Sequence, residues 1–230
     1  MRAIMMLTGL ALATGPLHAQ DACGPMRQVA KPPIGSWMKL NVVGAGMVGG
    51  LRMAAIGTEK REGKEMFWLE MQVDSKQGQM TAQTLYGSYP PGDMGEDIKE
   101  MVMKAPGQPA MKLSGPMLKM ASQMAKQSGA ASAGLDMVKE CKDLKLVGAE
   151  TVTVPAGTFK TQHYQSTKKA FDVWIDMSLP FGMVKASGAD EQGKPYAMEL
   201  AAKGSDAKSS ITEKPMDMGG MGGMMMPGRN

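Results

Sequence analysis

Residues 150–185 read ETVTVPAGTFKTQHYQSTKKAFDVWIDMSLPFGMVK, three short alternating runs held between turn residues. Val152 and Val154 alternate up to Pro155-Ala156-Gly157, residues 158–166 form the second run, and Phe171, Val173 and Ile175 share one side of the third. Alternation with period two, bounded by Pro and Gly, marks strands joined by tight turns. Two more runs follow, residues 181–187 and 194–203, the last with Tyr196, Met198, Leu200 and Ala202 on one face. This half of the chain therefore reads as a sheet.

Upstream, the same signal recurs. Residues 36–43 alternate, with Met38, Leu40 and Val42 on one side. A glycine-rich turn at 44–50 leads to a strand at 51–56, and a charged turn at 59–63 leads to residues 64–74, where Phe67, Leu69, Met71 and Val73 align. Residues 79–86 make a fourth strand, and short Gly-containing turns predict an antiparallel meander. After Tyr89-Pro90-Pro91-Gly92-Asp93 the period changes. Ile98, Met101, Val102 and Ala105 fall at helical spacing and stop at Pro106, which predicts a helix. Residues 111–114 read as a short strand. A second helix is predicted over 116–128, with Pro116 as its first residue and Met117, Ala121, Met124 and Met120 as its apolar stripe. Residues 129–134 read as a small-residue linker and 135–141 as a further helical turn. The expected fold class is α+β: an antiparallel sheet of about nine strands, with two or three helices inserted after the fourth and packed on one face.

Composition bounds the setting. Arg2, the apolar run 3–13 and Leu17-His18-Ala19 read as a signal peptide, residues 1–19, cleaved after Ala19. Gln20-Asp21-Ala22 before Cys23 lacks the small and apolar residues of a lipidation site. No run approaches the roughly 20 apolar residues of a membrane helix, so a periplasmic or secreted protein that does not span a membrane is expected. Cys23 and Cys141 are the only cysteines, and an even count in an oxidising compartment points to one disulfide. No C-x-x-C motif is present. The net charge of +4 comes from scattered residues, an ordinary solvated surface with no nucleic-acid partner. The domain plan is a signal peptide (1–19), an extended segment (20–33), a folded domain (34–204) and a disordered Met/Gly-rich tail (205–230).

Several motifs carry a resemblance. These are residues 150–160, Val173-Trp174-Ile175, residues 180–185, Gly35-Ser36-Trp37, Phe67-Trp68-Leu69-Glu70, residues 199–204 and residues 209–215. Together they resemble an uncharacterised family of exported bacterial proteins related to the outer-membrane lipoprotein carriers, the LolA/LolB-like superfamily. The resemblance covers most of residues 34–215. It implies a curved, half-open antiparallel sheet wrapped around helices, the shape those carriers use to hold acyl chains, and it supplies no catalytic residues. Frequent Met in place of Leu, Ile or Val, and the Gly/Met tail, depart from it.

The residues offer little catalytic chemistry. His163, the only histidine after processing, has too few partners in the sequence for a triad or a histidine-rich zinc site and reads as structural. Glu65, Glu70, Asp172, Asp176, Asp190 and Glu199 read as solvated strand and turn carboxylates. The glycines of 44–50 lack the Lys-Ser/Thr element of a phosphate loop. No enzyme activity and no cofactor are expected. Trp68 and Trp174 point opposite their strands' aliphatic faces, either covering the second sheet face or lining an apolar cavity. With Met101, Met117 and Met124 they are the candidate apolar ligand residues, since methionine adapts to variable apolar partners. A lipid or an acylated protein is the expected partner. The tail methionines, Met216, Met218, Met221, Met224, Met225 and Met226, read as low-complexity disorder; the sharper alternative is soft-metal capture, because thioethers select Cu(I). The third alternative is a structural or envelope-interaction module.

Overall fold

The computed structural model describes residues 31–44, 47–75, 78–89, 97–127, 141–189 and 193–218. The strands are β1 Trp37–Gly44, β2 Met47–Arg61, β3 Lys64–Ser75, β4 Gly78–Tyr86, β5 Ile98–Lys104, β6 Met111–Ser114, β7 Leu144–Val154, β8 Gly157–Ser166, β9 Phe171–Ile175, β10 Met183–Ala189, β11 Pro195–Gly204 and β12 Met216–Asp217. All twelve lie in one sheet, in the order β12-β6-β5-β4-β3-β2-β1-β11-β10-β9-β8-β7. Every pairing is antiparallel except β12 on β6. Among the described residues there is one α-helix, α1 Gly115–Gln127, and one 3₁₀ turn, Cys141–Asp143.

The α+β expectation is therefore corrected to a nearly all-β fold. The expected strands are present, the short one at 111–114 as β6, and the two unexpected ones, β5 and β12, have separate causes. Residues 98–105, expected as a helix, form β5 between β4 and β6. Their helical spacing is also compatible with a strand, a known ambiguity of short apolar runs. The open hydrogen-bonding edge of β4 resolves it. Here the tertiary pairing outweighs the local period. The helix expected at 116–128 is α1, entered through Gly115 at φ +54. Of the third expected helical turn, 135–140 lies outside the described residues. The other unexpected strand is β12, inside the segment expected as a tail.

Two turns differ in extent. The glycine-rich segment is partly strand, since Gly49 and Gly50 pair with Val42 and Asn41. The charged turn narrows to Glu62 and Gly63, at φ 51 and 77, the left-handed pair that a two-residue hairpin requires.

The sheet rolls at one end. The β7–β8 turn donates Ala156 N–H to Leu200 O of β11 at 3.0 Å, so the β7 edge doubles back over strands that are not its neighbours. The roll encloses the main core: Met38, Leu40 and Val42 from β1, Phe171, Val173 and Ile175 from β9, Val184 and Ala186 from β10, and Met198 and Leu200 from β11. Leu40, Val173 and Val184 are wholly buried. The Pro180-Phe181-Gly182 motif is a turn beneath this core. Phe181 and Gly182 adopt φ 66 and 71, Asp176 N–H donates to Gly182 O at 2.9 Å, and the buried Phe181 ring anchors it. Cys141 is buried in the same core, and Cys23 lies outside the described residues.

Residues 205–218 stay on the fold. Ala207 N–H donates to Gly35 O at 2.8 Å and Asp206 accepts from Trp37 Nε1 at 2.7 Å. Residues 205–215 then strap across the sheet to β12. Of the disordered tail expected over 205–230, residues 205–218 are ordered in place, with Ile211 buried against Val102 and Ala110, and 219–230 lie outside the described residues.

Candidate functional site

The two faces of β1–β6 have opposite fates. On the outer face, Ala54, Glu70, Gln83, Val102, Lys112 and Asp217 are consecutive cross-strand partners, and the strap covers Glu70, Gln83 and Val102 through Ser210, Ser209 and Ile211. Glu70 is 1% exposed. It accepts hydrogen bonds from Gln72 Nε2 at 3.0 Å, Gln83 Nε2 at 2.7 Å, Ser210 N–H at 2.8 Å and Ser210 Oγ at 2.9 Å, with Arg52 Nη1 at 3.5 Å. A buried carboxylate persists only when so satisfied. Two further carboxylates pin the strap. Hydrogen bonding from Trp37 holds Asp206 below its ordinary value, and hydrogen bonding from Lys104, at 2.7 Å, does the same for Glu213.

On the inner face, register assembles a row of side chains across seven strands. Met38 faces Met53, Met53 faces Met71, Met71 faces Ala82, Ala82 faces Met103, Met103 faces Met111 and Met111 faces Met216. A second row runs Ala55, Leu69, Thr84, Met101 and Leu113. Met38 belongs to the closed core. From Met53 onward the methionines of the first row are part-exposed, as are Leu69, Met101 and Leu113. At the usual inter-strand spacing the part-exposed row spans about 24 Å. An apolar, adaptable surface of that length, continuous with a closed core, is the candidate site.

The sequence candidates are divided by this geometry. Met101 lies on the inner face. Met117 is half-buried on α1, which packs near β5 and β6; Met124 is on the same helix, with its side chain outside the described residues. Trp68 and Trp174 are on the outer face and apart from it. Trp68 donates to Glu59 at 3.1 Å and packs against the small cluster with Ile211. Hydrogen bonding from Arg61 holds Glu59 below its ordinary value, with a smaller contribution from Trp68. Trp174 stacks on His163 at 4.3 Å and donates to Glu150 at 2.7 Å.

His163 Nε2 faces Asp172 Oδ1 at 2.8 Å and Nδ1 faces Glu150 Oε2 at 3.5 Å, so both ring nitrogens meet carboxylates. A hollow at the β7–β9 end has Glu150, Lys160 and Asp176 on its walls, a charged lining unsuited to an apolar ligand. Of the proposed metal ligands, Met216 is on β12, Met218 donates its backbone N–H to Lys112 O at 3.0 Å, and Met221, Met224, Met225 and Met226 lie outside the described residues. Among the described residues no group of three or more His, Cys, Asp or Glu side chains is placed to hold a metal.

Sequence reasoning missed Met53, Met71, Met103 and Met111 as a set. The usable signal was Met at alternate positions on the aliphatic side of successive strands.

No family model and no curated protein matches this sequence. Solved structures overlap it in part. An exported protein with a YmcC-like fold from Bacteroides fragilis shares 12% identity, covering 76% of this chain and 97% of its own, at a TM-score of 0.36. A DUF1329 family protein from Desulfovibrio piger shares 14%, covering 84% and 92%, at 0.35. MucB shares 14%, covering 84% of this chain and 60% of its own, at 0.33. At these identities and TM-scores no property of those proteins is transferred to this chain.

Proposed function

We propose that this is an exported, non-enzymatic carrier that holds an apolar chain, the acyl group of a lipid or of an acylated protein, along the inner face of β2–β6. The observation that supports this reading is the part-exposed methionine row. A sheet of this size ordinarily covers its apolar face, as the rolled half does, and an apolar face left part-exposed beside the core marks a binding site. Each Å² removed from water by a bound chain contributes about 25 cal/mol. Unbranched thioether side chains repack around chains of differing length. The signal-peptide reading gives the compartment, and among the described residues no helix is long and apolar enough to cross a membrane.

The test is native mass spectrometry of protein purified from its own host, paired with titration of a fluorescent fatty acid. A lipid-mass adduct and saturable probe binding are expected. Met71→Asp places a charge mid-row and should weaken the probe at least about tenfold with little loss of stability at this part-exposed position. Apo spectra together with no probe response would remove the reading.

A further inference from the structure

We propose that Met103, Met111 and Met216 form a three-thioether site for a soft monovalent cation, Cu(I), at the β12 end of the inner face. The three are consecutive partners on β5, β6 and β12. Directly opposed residues in a sheet have their Cβ atoms about 5 Å apart. A methionine side chain is long and flexible enough for the two outer sulfurs to close over the central one. None of the three is buried; Met216 is 47% exposed, so an ion reaches them from solvent.

The backbone that presents them is fixed. Met216 N–H donates to Ala110 O at 2.8 Å and Met218 N–H to Lys112 O at 3.0 Å. On the opposite face Lys112 and Asp217 pair at 2.8 Å, locking the register that brings Met216 beside Met111. The flanking row offers Thr84, Met101 and Leu113 and no carboxylate. Thioethers without carboxylate or imidazole select Cu(I) over Zn(II) or Ca(II). The sequence alone pointed to the glycine-rich tail as the soft-metal element. The fold instead gives its first methionine two partners from the sheet. This inference does not rest on the acyl-chain reading.

The test uses the full mature chain, titrated anaerobically with Cu(I) under ascorbate against a chromophoric Cu(I) chelator. The wild type should compete for the ion. The triple variant Met103→Leu, Met111→Leu, Met216→Leu should bind at least about tenfold more weakly, its fold checked by circular dichroism. Should the triple variant fail to fold, Met111→Leu alone, at the centre of the trio, takes its place with the same expectation. A tail variant with Met221, Met224, Met225 and Met226 changed to Leu should stay within about threefold of wild type. X-ray absorption of the Cu(I) protein should show sulfur neighbours only. A wild type that does not compete, undiminished affinity in the sheet variant, a tail variant that loses binding, or nitrogen and oxygen neighbours would each overturn the proposal.

Discussion

The two halves of this sheet bury opposite faces. In the rolled half, β1 and β7–β11, the inner face is sealed by the sheet's own curl, and Trp174, His163 and Lys185 decorate the outside. In the open half, β2–β6, the outer face is sealed by the strap through Glu70, Ser210 and Ile211, and the inner face stays part-exposed. The residues differ accordingly. The closed interior uses Leu40, Val173, Val184 and Leu200, shaped for fixed packing; the open face uses Met53, Met71, Met101, Met103 and Met111, which adapt. One sheet thus separates a surface that sets stability from a surface free to meet a ligand.

The largest expected effect concerns the rolled half's tether. If Cys141 pairs with Cys23, closing a loop of this length contributes about 4 to 5 kcal/mol on the chain-entropy view. Unfolded, non-reduced protein should then take up no alkylating agent, and reduced protein should be modified at both cysteines. Uptake before reduction would leave the rolled half without its tether. Leu40→Ala should cost about 3 to 5 kcal/mol in denaturant unfolding, against less than about 1.5 for Met71→Ala on the open face. Equal losses would erase the contrast between the halves.

Glu70→Ala leaves the Gln72 amide and the Ser210 N–H without this acceptor and Gln83 with only Ser209 Oγ, and should cost about 2 to 3 kcal/mol. Hydrogen exchange at Met216 and Met218 should accelerate, since the strap would be released, while β9 and β10 amides stay protected.

The smallest effect is on pH. Asp206 and Glu213 are held below their ordinary values by Trp37 and Lys104. Their folded-state values lie below their unfolded ones, so the stabilisation is in full above about pH 5 and is lost as pH falls through the lowered values. Both groups are at the surface, so a slight rise in strap exchange below about pH 4 is expected, without change in the rolled core.

Much of the fold was legible because alternation is a local property. Nine strands, the hairpin turns and α1 followed from spacing and turn residues alone, and so did the outward direction of Trp68 and Trp174. Strand β5 was not legible, because Ile98, Met101, Val102 and Ala105 fit a helical period while Met101, Met103 and Ala105 fit an alternating one, and only the pairing edge of β4 chooses between them. Nor was β12, whose two residues have no period. The methionine row was equally hidden, since successive partners in it are 8 to 105 residues apart and meet only through the sheet's register.

That this is a chain of short amphipathic strands carrying a methionine-rich aliphatic face is written residue by residue, because side-chain alternation and turn chemistry are local. Which face of each half is covered emerges only on folding. That choice depends on where the sheet curls and where residues 205–218 lie down, and both are set by contacts between residues far apart in the chain. The stretch at 150–185 belongs to the closed half, and the candidate site is on strands that it never touches by pairing.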